Sequence, residues 1–198
     1  MPTDTSKVFV PAPPKVKGVL YRAPLGTTIP TDAATDLPVT YKDLGGISDA
    51  GITNAMAREV TKVKDFGGKT IATPQSDYTE TLQVTFVEST NLEVLKTVFG
   101  DTNVTFTPAT ATAGALIKVD HNAESLPKSV YVADTVHGTG MRRLIAAIAQ
   151  PLTVGDVVQI NTDVVKYDVT FECFEFLDGT SVFNVREYID DGVFDATP

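Results

Sequence analysis

Apolar and polar residues alternate with a period of two over much of this chain, and the period changes clearly at one place. Leu82, Val84 and Phe86 alternate with Thr81, Gln83 and Thr85, which predicts a half-buried strand over residues 80–88. Thr90, followed three residues later by Glu93, reads as a capping box. Leu92, Leu95, Val98 and Phe99 then recur at helical spacing, and Gly100 stands where a left-handed cap is wanted. The spacing predicts a helix over 90–99. A helix this short cannot bury its stripe alone, so it must lie on a sheet, with Leu92, Leu95 and Phe99 closing the core.

The clearest alternation spans 164–176. Val165, Tyr167, Val169, Phe171 and Cys173 face one way, and Lys166, Asp168, Thr170 and Glu172 the other, so one side is core and the other wet. Asp178-Gly179 is a hairpin turn, residues 182–189 return, and Asp190-Asp191-Gly192 ends the regular pattern, leaving 190–198 as a tail. Earlier, a short strand over 16–22 precedes a loop rich in Pro and Thr over 23–32. Closely spaced glycines imply tight turns within 41–52, and a strand of mixed character follows over 53–64. Residues 103–107 and 115–120 read as strands around an Ala/Thr-rich turn at 108–114. Val130, Val132 and Val136 line one face of a strand ending at His137-Gly138-Thr139-Gly140. Residues 141–150 have good helix propensity, but Gly140 and Pro151 bound them at strand length and Leu144, Ala146 and Ile148 alternate, so strand is preferred.

Two segments lack a sustained period. Residues 1–17 hold four prolines and read as an extended arm, or else as a disordered terminus. Residues 65–78 have no pattern, yet carry Phe66 and Ile71 beside Gly67, Gly68 and Lys69. Structureless loops of this length are usually functional or disordered, and a solvated loop has little use for Phe66 and Ile71. The segment is read as a contact arm that becomes ordered against a partner.

Composition supports a mainly antiparallel β protein, since 28 Thr and 25 Val make up about a quarter of 198 residues, punctuated by 14 Gly and 12 Pro. One domain over 18–189 is expected, with no linker or repeat. No apolar run approaches the roughly 18 residues of a membrane-spanning helix, and Met1-Pro2-Thr3-Asp4 does not read as a signal peptide; a soluble, non-exported chain is expected. The net charge of -9 argues against a general nucleic-acid binder. Its distribution is uneven: residues 150–198 hold two basic and ten acidic side chains.

Candidate chemistry is sparse. Gly138-Thr139-Gly140-Met141-Arg142-Arg143 could suggest a phosphate-binding turn but lacks the established glycine patterns, and a plain hairpin turn is preferred. His121 and His137 have no companions at metal-ligand spacing. Glu172, Glu175, Asp190 and Asp191 read as solvated carboxylates rather than an acid/base pair. Cys173 lies on an apolar face, without a histidine partner, and reads as core. No catalytic residue, metal or cofactor is expected.

Several motifs, in their order along the chain, resemble the major tail tube proteins of long-tailed bacteriophages. They are Ala23-Pro24-Leu25-Gly26-Thr27, then Pro30-Thr31-Asp32, then Leu44-Gly45-Gly46-Ile47-Ser48-Asp49-Ala50-Gly51-Ile52. Further on come the strand and short helix ending in Phe99-Gly100, Arg142-Arg143-Leu144-Ile145, Val154-Gly155-Asp156-Val157, and Tyr167-Asp168-Val169-Thr170-Phe171 before Asp178-Gly179-Thr180. The resemblance runs from about residue 16 to 189. Ala146-Ala147 departs from the Ile-Pro-Arg-like stretch of many relatives, and Phe66-Gly67 stands where relatives often have Trp-Gly.

The resemblance implies an antiparallel β-sandwich or partly open barrel flanked by one short helix, similar to the tube protein of type VI secretion. It implies six-membered rings stacked into a hollow conduit for DNA, in a virion tail assembled in the bacterial cytoplasm. The implied partners are further copies of the chain, with tape measure, tail terminator and distal tail proteins. DNA would pass without specific binding, and the chain would not insert into a membrane. On this reading Asp168 and Glu172 would line the lumen, and the arm 1–17 with Phe66, Gly67, Gly68, Lys69 and Ile71 would make subunit and ring contacts. The alternatives are a tube protein of a secretion system or tailocin, and a monomeric β-barrel that binds a ligand or acts as an enzyme.

Overall fold

The alternating segments pair into one antiparallel sheet of eight strands, with three small hairpins beside it. The computed structural model describes residues 3–179 and 181–193. In chain order the strands are β1 (Leu20–Pro24), β2 (Lys42–Asp43), β3 (Ile47–Val60), β4 (Val63–Lys64), β5 (Thr70–Ala72) and β6 (Gln75–Phe86). The helix α1 (Leu92–Phe99) follows, and then β7 (Val104–Thr107), β8 (Leu116–Val119), β9 (Ser129–His137), β10 (Gly140–Val154) and β11 (Tyr167–Cys173). The last strands are β12 (Phe176–Asp178), β13 (Ser181–Phe183) and β14 (Arg186–Asp190). Among the described residues the fold is mainly β, an antiparallel sandwich with one short α-helix and no closed barrel.

Strand order in the main sheet is β2-β1-β9-β10-β11-β6-β3, and β14 also pairs with β10. β10 joins the two wings. One edge pairs with β9 from Gly140 to Ala149, while the other takes β14 along Met141–Ile145 and β11 along Ala149–Val154. Register shifts between Ala146 and Ala149 and between Pro151 and Thr153 bend the strand there, as bulges do. The Ala146-Ala147 stretch therefore has a geometric use. Ala146 and Ala149 are wholly buried, and their small side chains let Tyr131 of β9 and Phe171 of β11 meet over β10, ring centroids 4.5 Å apart.

Both wings and α1 share one core that includes Leu82, Val84, Phe86, Val94, Leu95, Tyr131, Val169 and Phe171. A second, smaller core of Tyr21, Ala23, Tyr41, Val130, Val132 and Ile145 lies on the opposite face of β1, β9 and β10, with Ile29 and Leu37 packed against it. β9 is thus buried on both faces rather than along the single line Val130, Val132, Val136. Val136 itself is only half-buried.

Helix α1 is shorter than predicted, and its cap is Asn91, whose Oδ1 accepts the Glu93 amide; no Thr90–Glu93 box forms. The reason is local, because Asn91 is one residue nearer the first helical turn and serves as well. Val94, Leu95, Thr97 and Val98 are buried, whereas Leu92 and Phe99 pack half-buried against the same core. Phe99 stacks on His121 at 4.4 Å and meets Tyr167 edge-on at 5.7 Å. Gly100 has a positive φ of 98°, but its ψ of 146° is extended rather than left-handed helical.

Residues 65–78, read from sequence as a structureless loop, hold β5 and the start of β6. β3 and β6 pair from Ile52 opposite Val84 out to Val60 opposite Gln75. The predicted strand at 53–64 is the outer part of β3, which begins six residues earlier. The first strand begins at Leu20, and the predicted return over 182–189 is split into β13 and β14. The arm is anchored in its middle, where Ala12 and Val136 exchange both backbone hydrogen bonds at 2.9 Å and Phe9 meets His137 edge-on. Met1, Pro2 and residues 194–198 lie outside the described residues, as does Thr180 of the Asp178-Gly179-Thr180 motif.

Candidate functional site

The β3–β6 pair leaves the core and continues as a two-stranded ribbon. Past Asn54 and Thr79 almost every residue is exposed. The ribbon is closed by β4 and β5, where the Asp65 backbone exchanges bonds with Lys69 and Gly68, and Oδ1 of Asp65 accepts the Lys69 amide at 2.8 Å. Gly68, with φ +82°, supplies the left-handed residue that this turn requires. Met56, Val60, Val63, Phe66 and Ile71 are exposed large apolar residues along it. Phe66 is fully exposed at the tip, beside Gly67, Gly68 and Lys69.

Side chains from both strands hold the ribbon near its base and along β3–β6. Buried Glu80 accepts from Tyr78 Oη at 2.8 Å and from Asn54 Nδ2 at 3.0 Å. Arg58 lies over the Tyr78 ring at 4.5 Å and donates to Gln75. β3 is also an outer strand of the sheet, so one edge of a 14-residue strand presents unpaired backbone groups among the described residues. Such an edge is a template for another chain.

Paired residues share a face, which allows the outer surface of β3, β6 and β11 to be read from register. Glu59, Ala57, Ala55 and Thr53 lie opposite Asp77, Thr79, Thr81 and Gln83, and Thr81, Gln83 and Thr85 lie opposite Glu172, Thr170 and Asp168. Within these three strands the face carries four carboxylates and no Lys or Arg; Lys166, one residue before β11, donates to Asp163 at 2.8 Å. Asp168 and Glu172 sit on it, half-buried rather than fully wet. Asp168 accepts from Gln83 Nε2 at 3.2 Å and from Thr85 Oγ1 at 3.4 Å. Glu59 and Asp77 were not singled out from sequence, although the step of two back from Gln83 leads to Asp77. The structure therefore brings Asp168 and Glu172 onto one surface and puts Phe66–Ile71 at the ribbon tip; Leu92, Leu95 and Phe99 lie on the other side of the sheet.

Two buried arginines, also missed in the sequence, hold the excursions that frame the sheet. Arg143 makes a bidentate pair with Asp134, at 2.7 and 2.8 Å, and donates to the carbonyls of Asp32 and Thr35 at 3.1 and 2.9 Å. Arg22 donates to both Asp101 oxygens at 2.9 and 2.7 Å and to Ser129 Oγ at 3.0 Å. Burial alone would depress both guanidiniums, but the carboxylate bonds outweigh it and hold them above their usual value. Neither arginine is available to a phosphate, and Arg142 is paired with Glu187. Gly138 and Thr139 form the plain turn between β9 and β10.

Cys173 is buried, and burial with Glu80 nearby pushes its thiol up to about 12. No group of His, Cys, Asp or Glu among the described residues is arranged to hold a metal ion. The space between the wings is filled by Phe86, Tyr131 and Phe171. Two concavities among the described residues, of about 700 and 580 Å³, are open surface grooves.

The surfaces so assembled define a mainly β protein with a projecting ribbon and an open sheet edge. No protein-family model matches the chain, and no curated protein does. Among solved structures, one match is the cryo-EM structure of an extracellular contractile injection system, the PVC sheath–tube complex in its extended state. It has 8% identity and a TM-score of 0.42, covering 92% of this chain and 94% of that one. A likeness of that degree establishes neither the family nor the function of the chain.

Proposed function

We propose that this chain is a non-catalytic structural subunit that assembles with copies of itself into stacked rings, forming the hollow tube of a bacteriophage tail. The observation that carries the reading is the β3–β6 ribbon. Its exposed apolar side chains and the free edge of β3 add nothing to the stability of a lone subunit, and gain burial only against a neighbour. Ring closure would pair the edges that otherwise invite uncontrolled association. The motif order along the chain supports the phage-tail form of this reading, with six subunits to a ring.

The base-free face of β3, β6 and β11 suits a channel wall. Repeated by ring symmetry, Glu59, Asp77, Asp168 and Glu172 would repel DNA phosphates and keep a passing genome from adhering. Screening over about 8 Å at physiological salt confines this effect to residues at the wall. Tail assembly in the host cytoplasm, and the tape measure, terminator and distal tail proteins as partners, belong to the same reading. A secretion or tailocin tube would use the same surfaces. A monomeric ligand carrier has less support, because its apolar interior should be hollow and this one is packed.

Negative-stain microscopy of the purified protein tests the reading. Tubes or rings are expected at high concentration. A variant in which Asn-Gly replaces residues 61–74, joining the paired Val60 and Gln75 by a tight turn, should remain a folded monomer. Normal tubes from that variant, or a strictly monomeric wild type at all concentrations, would refute the proposal.

A further inference from the structure

The larger groove lies where β1 ends and β9 begins. Its floor and rim include Pro24, Leu25, Val39 and Pro127, with Lys42, Lys96 and Lys128 around them. Leu25 and Val39 are 53% and 89% exposed, so the apolar part is open to a partner. The two acids of the groove are already engaged, Asp101 with Arg22 and Glu93 with Lys96. Lys42 has no ion-pair partner among the described residues, and Lys128 rests on the Phe174 ring at 3.7 Å. On a chain of net charge -9, this groove is a cationic and apolar exception.

The complementary segment is at the other end of the molecule. β14 ends at Asp190, opposite Met141, and Met141 lies opposite Val136 near the end of β9. From there the sequence reads Asp190-Asp191-Gly192-Val193-Phe194-Asp195, acidic and apolar by turns. Val193 is 76% exposed. The groove adjoins Ser129, the first residue of β9, and its Lys42 is level with Tyr131, five residues from Val136 and four strands across from β14. Asp190 and Lys42 are therefore about 17 Å apart along the strands and about 19 Å apart across them. Asp191 is held at the far end, its Oδ1 accepting the Val193 amide at 2.9 Å and Gly192 packed against the Thr139 backbone. Within one copy its carboxylate therefore falls short of the lysines, whereas copies arranged head to tail bring tail and groove together.

We infer that the acidic segment 190–195 of one copy seats in the lysine-rimmed groove of the next, a head-to-tail contact between stacked copies. Asp191 and Asp195 would accept from Lys42 and Lys128, while Val193 and Phe194 cover Leu25 and Val39. A contact of this kind is heterologous and does not close on itself within a pair, so it propagates along a stack. The inference rests on the self-assembly reading above and adds the donor and acceptor to it.

The probe is an end-blocked peptide of residues 189–195, titrated into dilute full-length monomer and followed by fluorescence anisotropy. Saturable binding is expected, weakened about tenfold by Lys42→Glu with Lys128→Glu, two exposed changes that spare the core, and weakened also by added salt. Binding that the double substitution leaves unchanged, or no binding at all, overturns the inference. Binding seen only after residues 191–198 are removed means that the same copy's tail fills the groove, and overturns the head-to-tail contact. Shortened chains that still stack into tubes also overturn it, while leaving the tube reading intact. A wild type that binds the peptide but never forms tubes upholds the groove and its ligand and sinks the tube reading instead.

Discussion

Replacing Arg143 by Ala tests the internal logic of the fold most directly. The side chain is 2% exposed and makes four hydrogen bonds, two to the Asp134 carboxylate and two to the carbonyls of Asp32 and Thr35. Removing it leaves the Asp134 charge buried without its partner and frees the strap around residues 32–35 that covers the smaller core. Breaking a buried pair from one side costs about 3–5 kcal/mol. For a domain of this size each kcal/mol lowers Tm by about 2–4 °C, so a fall of about 6–20 °C is expected. Thermal unfolding followed by circular dichroism, under conditions that keep the protein monomeric, gives the number.

Limited proteolysis gives a second readout, with new cleavage expected near residues 32–36. The apolar double replacement Arg143→Met with Asp134→Leu removes both charges together and should recover much of the loss, because the isolated charge rather than the missing attraction dominates. A fall in Tm under about 3 °C for the single variant, corresponding to about 1 kcal/mol, would refute the reasoning. So would a double variant as unstable as the single one.

Three further outcomes are expected. Phe66→Ser should leave Tm within about 2 °C, since the ring buries nothing in the lone subunit and surface changes are worth within ~0.5 kcal/mol, yet should raise the concentration needed for assembly; an unchanged assembly threshold by light scattering would count against the ribbon as a contact. Gly45→Ala should cost about 1–3 kcal/mol, because φ is +73° and a Cβ would lie 2.1 Å from the Glu88 carboxylate, which already accepts the Gly46 amide and Asn91 Nδ2; urea titration measures it. Cys173 should resist iodoacetamide in the native protein at pH 9 and react on unfolding. Its thiol ionises near 9.0 when unfolded and near 12 when folded, so the folded state holds the extra proton in that window and Cys173's contribution to stability falls as pH rises from 9 to 12.

The sequence by itself determined where most strands and the helix lie, and for the clearest strands which face turns inward. The alternation in Tyr167–Cys173 and in Leu82, Val84 and Phe86 follows from the two-residue period of a pleated strand, a local property that burial enforces. The helix was legible from the helical spacing of Leu92, Leu95, Val98 and Phe99, although its cap is Asn91 rather than Thr90 and Gly100 is not left-handed helical. The stretch around Ala146 is strand as read from Leu144, Ala146 and Ile148 against its helical propensity, but Pro151 does not bound it: β10 runs on through Pro151, opposite Phe171, to Val154.

Tertiary structure alone decided what joins the wings and what is left outside. A period of two cannot say that β9 is buried on both faces, because Val130 and Val132 need a second core, which the strap over residues 25–41 supplies with Ile29, Leu37 and Tyr41, while Tyr131 and Ala133 face the main one. Nor can it show that Arg22 and Arg143 are buried, since an arginine in a strand reads as solvated until the fold brings its carboxylate, Asp134 from the paired strand for Arg143 and Asp101 from beyond the helix for Arg22. Residues 65–78 looked patternless because the ribbon is exposed on both faces and nothing there selects apolar alternation. Its order comes from backbone pairing across Val60 and Gln75, a long-range register that side-chain periodicity does not record. The same register gathers Glu59, Asp77, Asp168 and Glu172 onto one face, although they are up to 113 residues apart in the chain.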